Sequence, residues 1–229
     1  TVTGSSGNDV FIVAGTTQGN ADTINGGGGT DELRLSTGSH TFSTDNKLVS
    51  IETLTLNASG STVVFTGQTE ALTLTGGAAV DNITGGNAAD IITGVGGNDI
   101  LAGGAGADTI SGGDGNDDIT GGADNDTLTG GAGSDTFHFS KGFGHDVITD
   151  FEEGVDKFTY SGYTQVEWDG AVESTSPDGH RVLTFIEGST LTIQNPNTPD
   201  ISAPELVSIS IRDRELEVGD TVYIDFSVV

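Results

Sequence analysis

Apolar side chains recur along this chain with a step of nine residues. From Gly85 to Phe139 it reads GGNAADIIT, GVGGNDILA, GGAGADTIS, GGDGNDDIT, GGADNDTLT, GGAGSDTFH and a closing Phe139. Each block carries aspartate at its sixth place and an apolar residue at its eighth: Ile92, Leu101, Ile110, Ile119, Leu128 and Phe137. The neighbours of that apolar residue are often Thr or Ser. This alternation predicts a short strand with one side chain inward and two facing water. A period this short predicts a coiled β architecture, one block making half a coil.

The step continues upstream in weaker form. Leu56, Phe65 and Leu74 run into Ile83 and Ile92 at the same spacing, with Leu54, Val63 and Leu72 at the place aspartate holds elsewhere. Residues 50–75 therefore read as metal-free coils that replace polar turns with apolar burial; a β-hairpin insert is the alternative. GGAAVDNIT from Gly76 is the transition. At the start, GSSGNDVFI from Gly4 matches the block, and TQGNADTIN and GGGGTDELR follow after an insertion of four residues. Downstream, Phe139, Phe143, Val147, Ile148, Phe151, Val155 and Phe158 predict a cap over the open end of the coil. Thr159 to Gln194 read as short strands turning at Pro177-Asp178-Gly179 and Glu187-Gly188-Ser189, with RVLTFIEGSTLTIQ a hairpin.

NPNTPDISAPE reads as a linker. The last segment, ELVSISIRDRELEVGDTVYIDFSVV, alternates as strands: the opening of an immunoglobulin-like sandwich, strands pairing with the rest of the chain, or a secretion-signal end. The expected organisation is 1–34, N-terminal repeats; 35–84, coils poor in metal; 85–139, the main roll; 140–197, a capping β segment; and 198–229, linker and terminal strands. The fold class is all-β, a right-handed parallel β-roll or β-helix solenoid with a C-terminal β cap.

The turns carry the candidate chemistry. Glycine at the first, second and fourth places permits a tight turn with left-handed backbone and bare carbonyls. Aspartate at the sixth adds a hard anionic oxygen, and calcium takes six to eight such oxygens from carboxylates and carbonyls. Two facing turns can supply that set. Because one block is half a coil, stacked aspartates lie two blocks apart: Asp81, Asp99, Asp117 and Asp135 on one edge, Asp90, Asp108 and Asp126 on the other, each stacked pair sharing an ion. The expected ligands are these with Asp9, Asp22, Asp31 and Asp146, and the backbone oxygens of Gly85, Gly94, Gly96, Gly103, Gly112, Gly121 and Gly130. An ion is expected between Asp9 and Asp31, and Asp146 is placed to close a site with Asp126. Ala88 and Asp124 at fourth places and Val95 at a second depart from the pattern, and aspartate tolerates left-handed geometry better than alanine. One buried aliphatic per nine residues is too little to order them, and the stacked carboxylates repel. Several calcium ions are therefore expected to make the fold.

Charge and composition sharpen this reading. A net charge of −27 with seven Lys and Arg argues against nucleic acid and anionic membranes. There is no cysteine, so calcium stands in for disulfides as the extracellular staple. No apolar run is long enough for a membrane span, and Thr1 reads as a cut point in a longer chain. No HExxH, G-x-S-x-G or P-loop motif occurs; His40, His138, His145 and His180 read as surface or satisfied residues. Trp168, Tyr160 and Tyr163 read as packing in the cap. The expectation is a non-enzymatic segment.

The repeats of Gly85–Phe139, those from Gly4 and Gly26, and the following SDTFHFSKGFGHDVITDFEEGVDKF resemble the RTX (repeats-in-toxin, hemolysin-type) calcium-binding family of secreted bacterial proteins. The resemblance implies type I secretion of an unfolded chain and folding outside as calcium binds. The coils without aspartate and the terminal strands are similar to surface-layer (S-layer) proteins and adhesins. That implies a calcium-dependent structural and secretion-folding module at the cell surface, with like subunits or cell-surface polysaccharide as further partners. The alternative is a carbohydrate-binding or folding-assistance module of a secreted epimerase, protease or lipase.

Overall fold

The computed structural model describes residues 1–14, 23–42, 48–57, 59–65, 67–162, 171–177, 179–185 and 187–194. The chain divides into Thr1–Pro199 and Asp200–Val229. The second stretch lies outside the described residues, as do Asp22, Tyr163 and Trp168.

The described residues form strands and no helix. A short parallel sheet joins β1 (Val2–Thr3), β3 (Ile24–Asn25) and β6 (Leu48–Val49), and one wall is an eleven-stranded sheet. Its parallel run is β2 (Val10–Val13), β4 (Glu32–Leu35), β7 (Thr53–Leu56), β9 (Thr73–Thr75), β11 (Ile91–Gly96), β13 (Thr109–Asp114), β15 (Thr127–Ala132), β17 (His145–Ile148) and β21 (Thr190–Ile193). The antiparallel strands β20 (Arg181–Thr184) and β19 (Val172–Thr175) extend it, so the predicted hairpin is present. The second wall is a seven-stranded parallel sheet: β5 (Gly38–Thr41), β8 (Ser61–Val64), β10 (Asn82–Thr84), β12 (Ile100–Ala105), β14 (Asp118–Ala123), β16 (Thr136–Ser140) and β18 (Lys157–Ser161). Successive strands alternate between the walls through the central block, which is the parallel solenoid that half-coil repeats require.

Each wall sends two columns of side chains inward, as strand alternation dictates. In the first column Leu33, Leu54, Leu74, Ile92, Ile110, Leu128 and Ile148 stack in register, none more than 1% exposed. Val63, Ile83, Leu101, Ile119 and Phe137 do the same on the other wall, followed by the half-buried Phe158. This register corrects the expected step of nine upstream of residue 76. Leu54 stacks on Leu74 and Val63 on Ile83, so these coils are longer than the central ones. Leu54 and Val63 therefore fill the inward apolar place and do not stand where aspartate stands; only Leu72 does.

The second column decides the character of each coil. On the first wall it reads Leu35, Leu56, Gly76, Gly94, Gly112, Gly130, and on the other Phe65, Gly85, Gly103, Gly121, Phe139. Large side chains occupy it in the flanking coils and glycine occupies it in the central block. Leu35, Leu56, Phe65 and Phe139 are at most 5% exposed, and Phe65 stacks on Phe42 with centroids 5.1 Å apart. The expected cap continues the same solenoid: β17 and β18 extend both walls, and an aromatic cluster of Phe137, Phe139, Phe143, Phe151, Phe158 and Phe185 fills its end.

Phe65→Ala would open a cavity in a coil whose second inward place is filled by hydrocarbon. We expect a loss of roughly 3–5 kcal/mol, read by denaturant unfolding in saturating calcium.

Candidate metal centres along the turn edges

The aspartates stack as two ladders, one on each edge. In each, Oδ1 accepts the backbone N–H of the residue one full coil earlier. On one edge the Ser61 N–H donates to Asp81 (2.6 Å), Asp81 to Asp99 (2.8 Å), Asp99 to Asp117 (2.7 Å), Asp117 to Asp135 (2.9 Å) and Asp135 to Asp156 (3.0 Å). On the other, Leu72 donates to Asp90 (2.8 Å), Asp90 to Asp108 (2.7 Å), Asp108 to Asp126 (2.8 Å) and Asp126 to Asp146 (3.0 Å). The N-terminal coils extend this second ladder: Asp9 donates to Asp31 Oδ1 (2.8 Å) and Asp31 to Glu52 Oε2 (2.7 Å). Sequence reasoning left Glu52 and Asp156 out of the ligand set. Their signal was present, an acid two residues before a buried or half-buried apolar side chain in Glu52-Thr53-Leu54 and Asp156-Lys157-Phe158. Asp150 was also left out; it accepts the N–H groups of Gly130 (2.9 Å) and Gly131 (2.8 Å).

The second oxygen, Oδ2, separates two kinds of turn. In one kind the turn closes on itself: Oδ2 of Asp9, Asp81 and Asp90 accepts the N–H of Ser5 (2.6 Å), Gly77 (2.7 Å) and Gly86 (2.8 Å). None of these three turns contains a left-handed residue. In the other kind, left-handed residues stand at the second and fourth places: Gly27 and Gly29, Val95 and Gly97, Gly104 and Gly106, Gly113 and Gly115, Gly122 and Asp124, Gly131 and Gly133, Gly142 and Gly144. Each of those turns ends in an aspartate whose Oδ2 is buried without a hydrogen-bond partner: Asp31, Asp99, Asp108, Asp117, Asp126, Asp135 and Asp146. Ala79 and Ala88 at the fourth place disfavour left-handed backbone, which is why their turns close. Val95 adopts it nonetheless at φ 84°, at a strain of about 1–2 kcal/mol. Asp124 does so at φ 77°, and its Oδ2 accepts the Gly106 N–H at 3.2 Å.

The column glycines leave room beside these orphaned oxygens. A Cβ built on Gly94 would lie 2.3 Å from Asp99 Oδ2 and 2.5 Å from the Gly112 carbonyl oxygen. On Gly103 it would lie 2.1 Å from Asp108 Oδ2 and 2.7 Å from the Gly121 oxygen, and on Gly112, 2.1 Å from Asp117 Oδ2 and 2.5 Å from the Gly130 oxygen. Gly85 and Gly76 face the carbonyls of Gly103 and Gly94 in the same way, at 2.3 and 2.5 Å. Gly96 lies farther out, with nothing nearer its Cβ position than the Asp114 carbonyl at 3.7 Å. Among the described residues no cluster of three or more His, Cys, Asp or Glu side chains forms. Any further ligands here are backbone oxygens, which suit a hard cation.

Burial drives eight aspartates of the ladders, from Asp81 to Asp146, up from their ordinary value of 3.8. Asp99, Asp126 and Asp135 rise to about 6, Asp108 to about 7 and Asp146 to about 8. Asp81, Asp90 and Asp117 also rise. The accepted backbone N–H groups oppose this, and neighbouring carboxylates such as Asp117 and Asp81 beside Asp99 add to it. His40 is fully buried with Nε2 on the Ser36 carbonyl (2.9 Å), while His138 and His145 meet Thr159 and Thr190 on the outer faces.

The family model of the RTX calcium-binding nonapeptide repeat (4 copies) matches residues 17–39, 75–110, 93–128, 102–137 and 111–148. No curated protein matches this chain. Similar solved structures include the solution structure of the AlgE6R3 subunit of the Azotobacter vinelandii mannuronan C5-epimerase. It is 25% identical, with 66% of this chain and 93% of that chain covered and a TM-score of 0.24. Residues 17–39 and 75–148 match RTX calcium-binding nonapeptide repeats, and the described residues among them lie in a parallel β-roll.

Proposed function

We propose that this chain is a calcium-dependent structural and secretion-folding module of an extracellular bacterial surface protein of the surface-layer or adhesin type. The observation that carries the calcium part is the set of seven buried, unpartnered Asp Oδ2 atoms. A buried ionised carboxylate with one oxygen left unpaired is unfavourable, and seven of them along two edges call for a counter-charge. Calcium, when bound, supplies the positive charge and the demand for oxygen ligands. Asp31, Asp99, Asp108, Asp117, Asp126, Asp135 and Asp146 would hold it, with the carbonyls of Gly112, Gly121 and Gly130 for the central ions. Asp9, Asp81 and Asp90 have already committed Oδ2 to their own turns, so they orient the ladder and leave ligation to their neighbours.

The export reading follows from the same charges. RTX repeat proteins are typically secreted. Free calcium is low in cytosol and high outside, so the central roll would stay unfolded before export and order afterwards. The non-enzymatic reading rests on the walls themselves. Among the described residues their outer faces are mostly threonine and serine, with the acids of the ladders buried in the turns and committed to backbone or cation.

Three outcomes are expected. Circular dichroism with excess chelator at neutral pH should lose much of the β signal and regain it on adding calcium; a signal unmoved by chelator overturns the reading. The sign of the pH dependence without calcium follows from the raised carboxyls. The folded state binds more protons than the unfolded one, so stability is full below about 3.8 and is lost as pH rises through about 6 to 8. Chelated protein at pH about 5 should therefore keep more β signal than at pH about 8.5. Finally, Gly112→Ala should place a methyl among the Asp117 and Gly130 oxygens, removing one ion from the calorimetric calcium count and lowering the unfolding midpoint.

A further inference from the structure

We propose a divalent-cation site, suited to calcium, between the turn Gly26–Asp31 and the segment Ser50–Glu52, with Asp31 Oδ2, the Ser50 carbonyl oxygen and the Glu52 carboxylate as donors. It rests on the calcium reading above but lies half outside the repeats. The family match ends at residue 39 and does not resume until 75, and the sequence pattern marks 35–84 as poor in metal.

The geometry reproduces the central block with different residues. Asp31 is 0% exposed, its Oδ1 accepts the Asp9 N–H at 2.8 Å, and its Oδ2 is buried without a partner. A Cβ built on Gly26 would lie 2.1 Å from that Oδ2 and 1.9 Å from the Ser50 oxygen. This is the arrangement Gly94 makes with Asp99 and Gly112, with Ser50 in place of the glycine. Ser50 holds φ 50°, one of three non-glycine residues among those described in the left-handed region; the other two, Val95 and Asp124, lie in central cation turns. Such backbone persists where the surroundings require it.

Glu52 occupies the ladder position of an aspartate. Its Oε2 accepts the Asp31 N–H at 2.7 Å, as Asp108 accepts that of Asp90 at 2.7 Å. The change from aspartate to glutamate has a geometric reason. A central turn spans Gly112 to Asp117, whereas this segment runs only from Ser50 to Glu52, and the longer side chain makes up reach that the missing residues would have supplied. Arg34 does not neutralise the pair, being bound to Glu32 at 2.8 Å on the outer face. The same geometry moves the ion expected between Asp9 and Asp31. Asp9 Oδ2 is held by the Ser5 N–H at 2.6 Å and hydroxyl at 3.0 Å, so the free carboxylate oxygen faces the following coil and not the preceding one.

The test uses the whole chain and calcium alone, counting bound ions by native mass spectrometry or equilibrium dialysis, with hydrogen exchange to locate them. Glu52→Gln, which keeps an acceptor for the Asp31 N–H, and Asp31→Asn should each bind one ion fewer than the parent and lose calcium-dependent protection in residues 24–35 and 48–56, while 91–139 keep theirs. Asp9→Asn should keep the full count. An unchanged count and protection in Glu52→Gln overturns the site, as does loss of that ion in Asp9→Asn. A parent chain that binds no calcium sinks the broader calcium reading as well. If Asp31→Asn fails to fold, Glu52→Gln alone decides.

Discussion

The structure depends on how one inward place in each half-coil is filled. A β-solenoid with a single apolar column per wall is too thin to exclude water from its turns, so the second column must contribute something. Leu35, Leu56, Phe65 and Phe139 contribute hydrocarbon. Gly94, Gly103 and Gly112 contribute space, which the Oδ2 atoms and carbonyls of adjacent turns surround. The two solutions exclude one another, because a side chain at that place would occupy the position toward which the oxygens converge. They occupy successive blocks of one continuous roll, with longer coils where hydrocarbon fills the place and an 18-residue step where glycine does.

This gives the module two regimes of stability. The coils around Leu54 and Phe65 hold by burial, whose strength does not depend on calcium. The coils from Gly94 to Asp146 are poor in hydrocarbon and bury a row of carboxylates, each with one oxygen left without a hydrogen-bond partner. The two kinds of coil are joined by backbone N–H groups of the apolar coils that donate to central aspartates, Ser61 to Asp81 and Leu72 to Asp90.

Backbone conformation sorts the turns more sharply than acidity does. Asp81 and Asp90 match the repeat at the sixth place, yet their turns close on themselves because Ala79 and Ala88 avoid the left-handed region that would free Oδ2. Asp146 belongs to a less regular segment, yet Gly142 and Gly144 supply both left-handed residues and its Oδ2 stands free. The conformation adopted at the second and fourth places goes with whether Oδ2 of the acid at the sixth is paired within its own turn or left without a donor.

The sequence by itself determined the all-β solenoid, the pairing of aspartates two repeats apart, the inward Ile, Leu and Phe of the central block, and the type of repeat. All of these follow from a fixed period, and a period is a local property that strands and turns express directly. Only the tertiary structure decided what depends on neighbouring coils. Leu54 and Val63 moved from the expected acid place to the apolar column because upstream coils absorb extra residues, and register there is set by which side chains stack. Glu52 and Asp156 joined the ladders because ladder membership is defined by a hydrogen bond to the adjacent coil, not by spacing along the chain. Which Oδ2 atoms are left without a donor was likewise settled by the fold of each turn against the next.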